Sequence, residues 1–241
     1  MQRFFKKLAA NPFSYLGHLF YKYTIAPWKY GQGDDYRADR YWEDRFRQKG
    51  ATLTAVGDEG LSLEENRKMY EEAGKVFWEL LNEENITLQD KTILEIGTGN
   101  GFFTQILYEN GARRYTGLDI TDALFEHLRH RFPGFHFQKQ DITAEPITGK
   151  YDLILFIDVI EHIVQEAKML SALHHIQEAL NPGGVLLFAP FMKKGRKEHF
   201  HLRLWTYEEL APHLKPLKIG PLKPFRYGHI AAVRKEEIYE A

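Results

Sequence analysis

The chain has 241 residues, 32 basic and 33 acidic side chains, a net charge of -1 and no cysteine. That length holds one α/β domain with a sizeable core plus an appendage, and the balanced charge excludes a global pull toward nucleic acid or acidic membranes. Without cysteine there is no disulfide framework, thiolate metal site or cysteine nucleophile, which together with the lack of a secretory signal or a bilayer-length apolar run predicts a cytoplasmic protein.

Any attraction to a charged partner must therefore be local, and the N-terminus offers one. From Met1 to Gly33 there is no acidic residue, while Arg3, Lys6, Lys7, Lys22 and Lys29 interleave with Phe4, Phe5, Phe13, Tyr15, Phe20, Tyr21, Tyr23, Trp28 and Tyr30. Such a segment suits a membrane interface or a lipidic substrate. It equally suits aromatics packed on the main domain, or a substrate lid, with lysines in water. Stacking on single-stranded nucleic acid is a third use.

Asp34, Asp35 and Asp39 reverse the charge, and Tyr41, Trp42 and Phe46 follow at helical spacing, predicting a short amphipathic helix. Residues 51–60 read as a loop bordering a ligand site. Ser62 and Glu65 form a capping box that opens a helix with an apolar stripe from Met69 to Leu81. Residues 1–60 are thus expected to form a basic, aromatic extension and cap, and residues 61–241 the main domain.

Thr92 to Thr104, TILEIGTGNGFFT, reads as a buried strand, a glycine turn and a helix. The turn exposes backbone N–H groups beside a helix N-terminus, which favours an anionic or zwitterionic ligand. The dinucleotide fingerprint Gly-x-Gly-x-x-Gly is not met, because Gly101 comes one residue early and Phe102 stands where the packing glycine belongs; this disfavours NAD.

Beyond it, strand and helix alternate, as a parallel sheet requires. Tyr115–Leu118 is the second strand, ended by Asp119, and Thr121 is placed to cap a helix through Leu128. Phe135–Phe137 is a third strand leading to Asp141, and Tyr151–Ile157 is apolar enough for the sheet centre. A helix over Met169–Leu180 precedes the turn Asn181-Pro-Gly-Gly and a strand over Val185–Ala189. Lys193–Arg203 is a cationic loop carrying His199 and His201, readable as a receiver for phosphate, carboxylate or nucleotide sugar, or as a solvated loop. Thr206 caps a helix ending near Pro212, and 217–219 and 229–233 supply the last strands.

Glu95, Gly97, Gly99 and Gly101 resemble motif I of the class I S-adenosylmethionine (SAM) dependent methyltransferases, and from Lys91 to about Ala189 the later pieces follow in the same order. The resemblance implies a Rossmann-like α/β fold, a mostly parallel seven-stranded sheet with helices on both faces. It implies SAM as cofactor and S-adenosyl-L-homocysteine as product, with Glu95, Gly97, Thr98, Gly99 and Gly101 at the turn. Asp119 and Ile120 would sit at the ribose, Asp141 and Ile142 at the adenine, and Asp158 along the cofactor. An acid at a strand end also serves simply to cap the following helix.

Methyl transfer is an in-line displacement that needs alignment, a proton acceptor and exclusion of water. His162 is the leading base candidate, with His201 and His199 facing the acceptor; alternatively the Asp-x-x-Glu-His segment only starts a helix. In relatives that carry Glu-x-x-Glu-His a divalent cation binds there. Here Asp158 replaces the first glutamate, and no metal is assigned to Asp158, Glu161, His162 and His201. The expected acceptor is a small or medium-sized metabolite methylated at oxygen. An RNA 2′-O-methyltransferase and a non-catalytic SAM-binding scaffold are the alternatives, and nucleic acid is disfavoured by the neutral charge.

Overall fold

The computed structural model describes Gly17 and residues 20–192 and 198–236. The basic and aromatic positions from Arg3 to Tyr15, and the lysines and arginine of 193–197, lie outside the described residues.

Five parallel strands form the heart of the sheet: β1 (Thr92–Ile96), β2 (Arg114–Asp119), β3 (His136–Lys139), β4 (Tyr151–Ile157) and β5 (Leu180–Phe191). They lie in the order β3-β2-β1-β4-β5. The chain moves outward from β1 in both directions, so the crevice between β1 and β4 is the topological switch point where α/β folds place ligands. Because the strands are parallel, Gly97, Asp119, Asp141 and Asp158, which end or follow them, gather on one edge.

Side chains alternate across this sheet. Ile93, Leu153, Leu155 and Leu187 face one core, and Leu94, Ile154, Phe156 and Leu186 face the other. Both faces are covered, which is why the central strands read as continuous apolar runs. The first core takes the helices Ala38–Lys49, Leu63–Glu83 and Phe102–Glu109 through Phe46, Phe77 and Leu107; the second takes Glu166–Ala179 through Met169 and Ile176. Phe46 and Ala55 thus share a core with the sheet itself. The long helix starts at the capping box, where Ser62 accepts from the Glu65 N–H and Glu65 accepts from the Ser62 N–H.

Three local expectations are revised. The helix after β2 begins at Phe125 rather than at Thr121, whose hydroxyl instead accepts from the Ala123 N–H in a tight turn. β5 starts at Leu180, before the Asn181-Pro-Gly-Gly segment, because Asn181 Nδ2 donates to Asp152 Oδ1 (2.8 Å) and holds this bulged stretch against β4. The sheet has an eighth strand: besides β8 (Lys218–Ile219) and β10 (Gly228–Arg234) there is β9 (Lys223–Phe225). β10 is antiparallel and lies inside the sheet, between β5 and β8.

Thr206 and Glu209 form a second capping box at the start of Tyr207–Leu210. Ahead of it, β6 (Glu198–His199) and β7 (Leu202–Arg203) pair as a small hairpin that sets His199 and His201 beside β4's end. Arg203, the last cation of the predicted loop, is buried, stacks on Trp205 at 3.4 Å and binds Glu209 at 3.0 Å. It is a structural strut, not a receiver for an anion. Among the described residues no helix is long and apolar enough to cross a membrane.

Candidate active site

A cleft of about 920 Å³ opens at the carboxyl edge of β1, β2 and β4. Its floor is the glycine turn. Gly97, Gly99 and Gly101 have φ of 76°, 48° and 79°, the left-handed region that favours glycine. At Gly97 a side chain is also excluded by space, because a Cβ there would stand 2.1 Å from Val159 Cγ2. Val56, from the short helix Leu53–Val56, lies over Gly99, so part of the predicted loop 51–60 forms a wall of the cleft.

Asp119 ends β2 beside this turn. Its Oδ2 accepts from the Gly99 N–H (3.1 Å) and its Oδ1 from the Thr121 N–H (3.2 Å). Burial pushes its carboxyl up to about 6 despite those donors. Ile120 and Thr98 also line the cleft, Thr98 fully buried. Further along, Asp141 Oδ1 accepts from the Thr143 N–H (2.8 Å) and hydroxyl (2.7 Å), while among the described residues its Oδ2 takes no hydrogen bond. Ile142 is buried in the cleft wall, its carbonyl accepting from His175 Nδ1 (2.8 Å).

Glu95 faces the turn from below. Its Oε2 accepts from the Tyr115 hydroxyl (2.6 Å) and the Thr104 hydroxyl (2.8 Å), so it ties β1, β2 and the following helix together beneath the glycines. Burial raises its carboxyl from 4.5 to about 7, in spite of both donors. A carboxyl raised on folding contributes stability that is complete below 4.5 and lost as pH climbs through 7. Urea unfolding should therefore show stability falling between pH 5 and pH 8 by about 2 kcal/mol from this group, and Glu95→Gln should flatten that slope. An unchanged slope in the variant would remove Glu95 as its source.

At the other end of the cleft stands His162, which lines both this space and an adjoining cavity of about 800 Å³ that also contains His199 and His201. Its Nδ1–H donates to the His201 carbonyl (3.2 Å), and Trp42 meets its ring edge-on at 4.8 Å. Desolvation lowers the imidazole to about 4, and His201, stacked on Tyr41, to about 3. His199 lies 6.2 Å from Tyr23 and 6.5 Å from His201, ring to ring.

Two residues that the sequence reading did not name complete this end. Asp158, at φ 59°, forms an ion pair with the buried Arg226, whose guanidinium lies 4.4 Å over the Tyr70 ring. Glu161 accepts from the Tyr227 hydroxyl, and burial together with the Asp158 charge holds its carboxyl well above the usual range. Asp158 and Glu161 thus have protein partners, and among the described residues no three His, Asp or Glu side chains group as metal ligands.

A family model described as a methyltransferase domain matches residues 62–222, more than half of the chain. The ubiquinone biosynthesis O-methyltransferase of Coxiella burnetii is 29% identical over 114 residues, covering 44% of this chain and 46% of its own. A probable S-adenosylmethionine-dependent methyltransferase of Mycolicibacterium smegmatis is 31% identical over 98 residues, covering 40% of this chain and 37% of that one. Each match spans less than half the length of these curated relatives. The solved structure of magnesium protoporphyrin IX methyltransferase from Synechocystis PCC 6803 with bound SAM is similar at a TM-score of 0.60 and 18% identity, over 83% of this chain and 97% of that one. The chain belongs to the methyltransferase-domain family and has the fold of the class I SAM-dependent enzymes.

Proposed function

We propose that this protein transfers the methyl group of SAM to an oxygen of a small or medium-sized metabolite. The observation that carries the reading is the position of His162 between the glycine-floored cleft and the cavity that holds His199 and His201.

The residues present fit the cofactor. The glycine turn leaves a cradle that a side chain would fill, Asp119 keeps lone pairs for two ribose hydroxyls, and Asp141 Oδ2 is free for the adenine amine beside Ile142. Glu95, whose Oε2 accepts the Tyr115 and Thr104 hydroxyls, supports the turn and also lines the cleft. Bound SAM supplies an electrophilic methyl on a sulfonium. His162, with Nδ1–H tied to a carbonyl, presents Nε2 as its lone pair and stays neutral above pH 4 or so, free to accept the acceptor's O–H. His162 Nε2 would hold the proton that the acceptor oxygen gives up on methylation. Trp42, Phe46 and Val56, from the residues 1–60 read as a cap, exclude water from the cleft. The oxygen preference is supported by the Coxiella burnetii relative, an O-methyltransferase.

Calorimetry should give micromolar binding of S-adenosylhomocysteine and none of NAD. His162→Gln should keep that affinity and lower methyl transfer to a panel of hydroxyl acceptors by about a hundredfold. The wild-type rate should show no limb from this imidazole between pH 5 and 8. Full turnover in the variant would sink the base assignment, and binding of NAD alone would sink the whole reading.

A further inference from the structure

Five of the 32 basic side chains and none of the 33 acidic ones lie in the first 33 residues, so this segment carries +5 and the rest of the chain -6. Within it, Tyr21–Ile25, wound as π turns, runs into the α-helix Ala26–Tyr30. One face of this helical stretch is fixed. Ala26 and Tyr30 are buried, Tyr30 packs edge-on against Tyr41 at 5.3 Å, and the Tyr30 hydroxyl and Lys29 both bind Asp44. The opposite face is bare. Trp28 is 86% exposed, Phe20 60% and Ile25 39%, whereas Tyr21 turns toward Tyr30 on the packed side.

We propose that this outward face is a docking surface for an anionic lipid bilayer. An aromatic face in a segment of five basic and no acidic residues, of which Lys29 is paired with Asp44, matches an interfacial bilayer site, where rings lie at the headgroup level and unpaired cations are attracted by anionic lipid. A partner protein or a second copy would need acidic or apolar complementarity. In a self-complementary contact this face would meet its own copy, setting a segment of five cations and no acid against the same segment, like charge on like. The helix also touches the site. Tyr23 meets His199, and Lys22 lines the same cavity as His162, so a protein seated this way holds the rim of that cavity at the lipid surface. That the acceptor is drawn from the membrane is a consequence that rests on the methyl-transfer reading; the docking does not.

Co-sedimentation of the full chain with vesicles tests it. Binding to phosphatidylcholine vesicles containing phosphatidylglycerol should exceed binding to pure phosphatidylcholine by at least about tenfold and weaken with salt. The double variant Phe20→Ser/Trp28→Ser should lose at least about tenfold in vesicle binding while its S-adenosylhomocysteine affinity, read by calorimetry, matches wild type. Trp28→Ser alone, at so exposed a position, cannot fail by unfolding and should lose part of the binding. Equal binding to both vesicles, or wild-type binding by the double variant, would overturn the proposal. So would self-association in place of vesicle binding, abolished by the same double variant, which would assign the face to a second copy. Because vesicle binding and cofactor affinity are read separately, failure of one is not failure of the other.

Discussion

Arg226→Met is expected to destabilise the protein by about 3–5 kcal/mol in urea unfolding. The guanidinium is 4% exposed and its partner Asp158 15%, so removing the cation strands a carboxylate in a buried place next to Glu161. Asp158 cannot easily turn away, since it sits in a positive-φ conformation directly after β4 with its N–H bonded to the Ala189 carbonyl (2.9 Å). The pair links the end of β4, which lines the glycine-floored cleft, to the turn between β9 and β10, which lines the histidine cavity. A double-mutant cycle with Asp158→Asn should give a coupling energy above about 1 kcal/mol. If the two losses simply add, the ion pair is not a unit and the predicted cost of Arg226→Met has another origin.

This pair also marks where the sequence stops being readable. The strand, glycine turn and helix at 92–109 were legible because local pattern dictates them: apolar residues end at Ile96 and three glycines follow at positions that all adopt positive φ. Asp119 and Asp141 were legible for a topological reason, since parallel strands must bring their carboxyl ends to one edge. Arg226 and Tyr227 had no such signal. They occupy a short turn in which Arg226 takes φ 51° without a glycine to announce it, and Tyr227 meets Glu161 across 66 residues only because β10 enters the sheet antiparallel beside β5. The helical spacing of Trp42 and Phe46 predicts one apolar face of a helix, which they form. That the same face would also wall the cleft depended on where the helix packs, a fact no periodicity contains. The acidic and histidine residues after β4 were visible as a group, but their division was not. Glu161 turns to Tyr227 and burial, while His162 turns to the His201 carbonyl and the cleft.

Asp119→Ala should weaken S-adenosylhomocysteine binding at least about a hundredfold. A carboxylate that accepts from both ribose hydroxyls makes two charge-assisted bonds, each worth about 1.5–3 kcal/mol, and a factor of ten needs about 1.4 kcal/mol. The loss has a second part, because Oδ2 also accepts from the Gly99 N–H and so holds the glycine turn in shape. pH separates charge from shape. Burial places the free carboxyl at about 6, and the ligand favours its ionised form; affinity should then be flat above pH 7 and fall below 6 by at most about tenfold per unit. Asp119→Asn keeps the side chain's size and an acceptor oxygen but has nothing to titrate, so its weaker binding should not vary with pH over that range. Calorimetric titrations of the three proteins at pH 5 and 8 decide the matter. If Asp119→Ala binds within threefold of wild type, the ribose is held elsewhere and the cofactor lies differently in the cleft. If Asp119→Asn retains the wild-type pH dependence, the titrating group is another one, and Glu95, raised to about 7 beneath the same turn, is the next to replace.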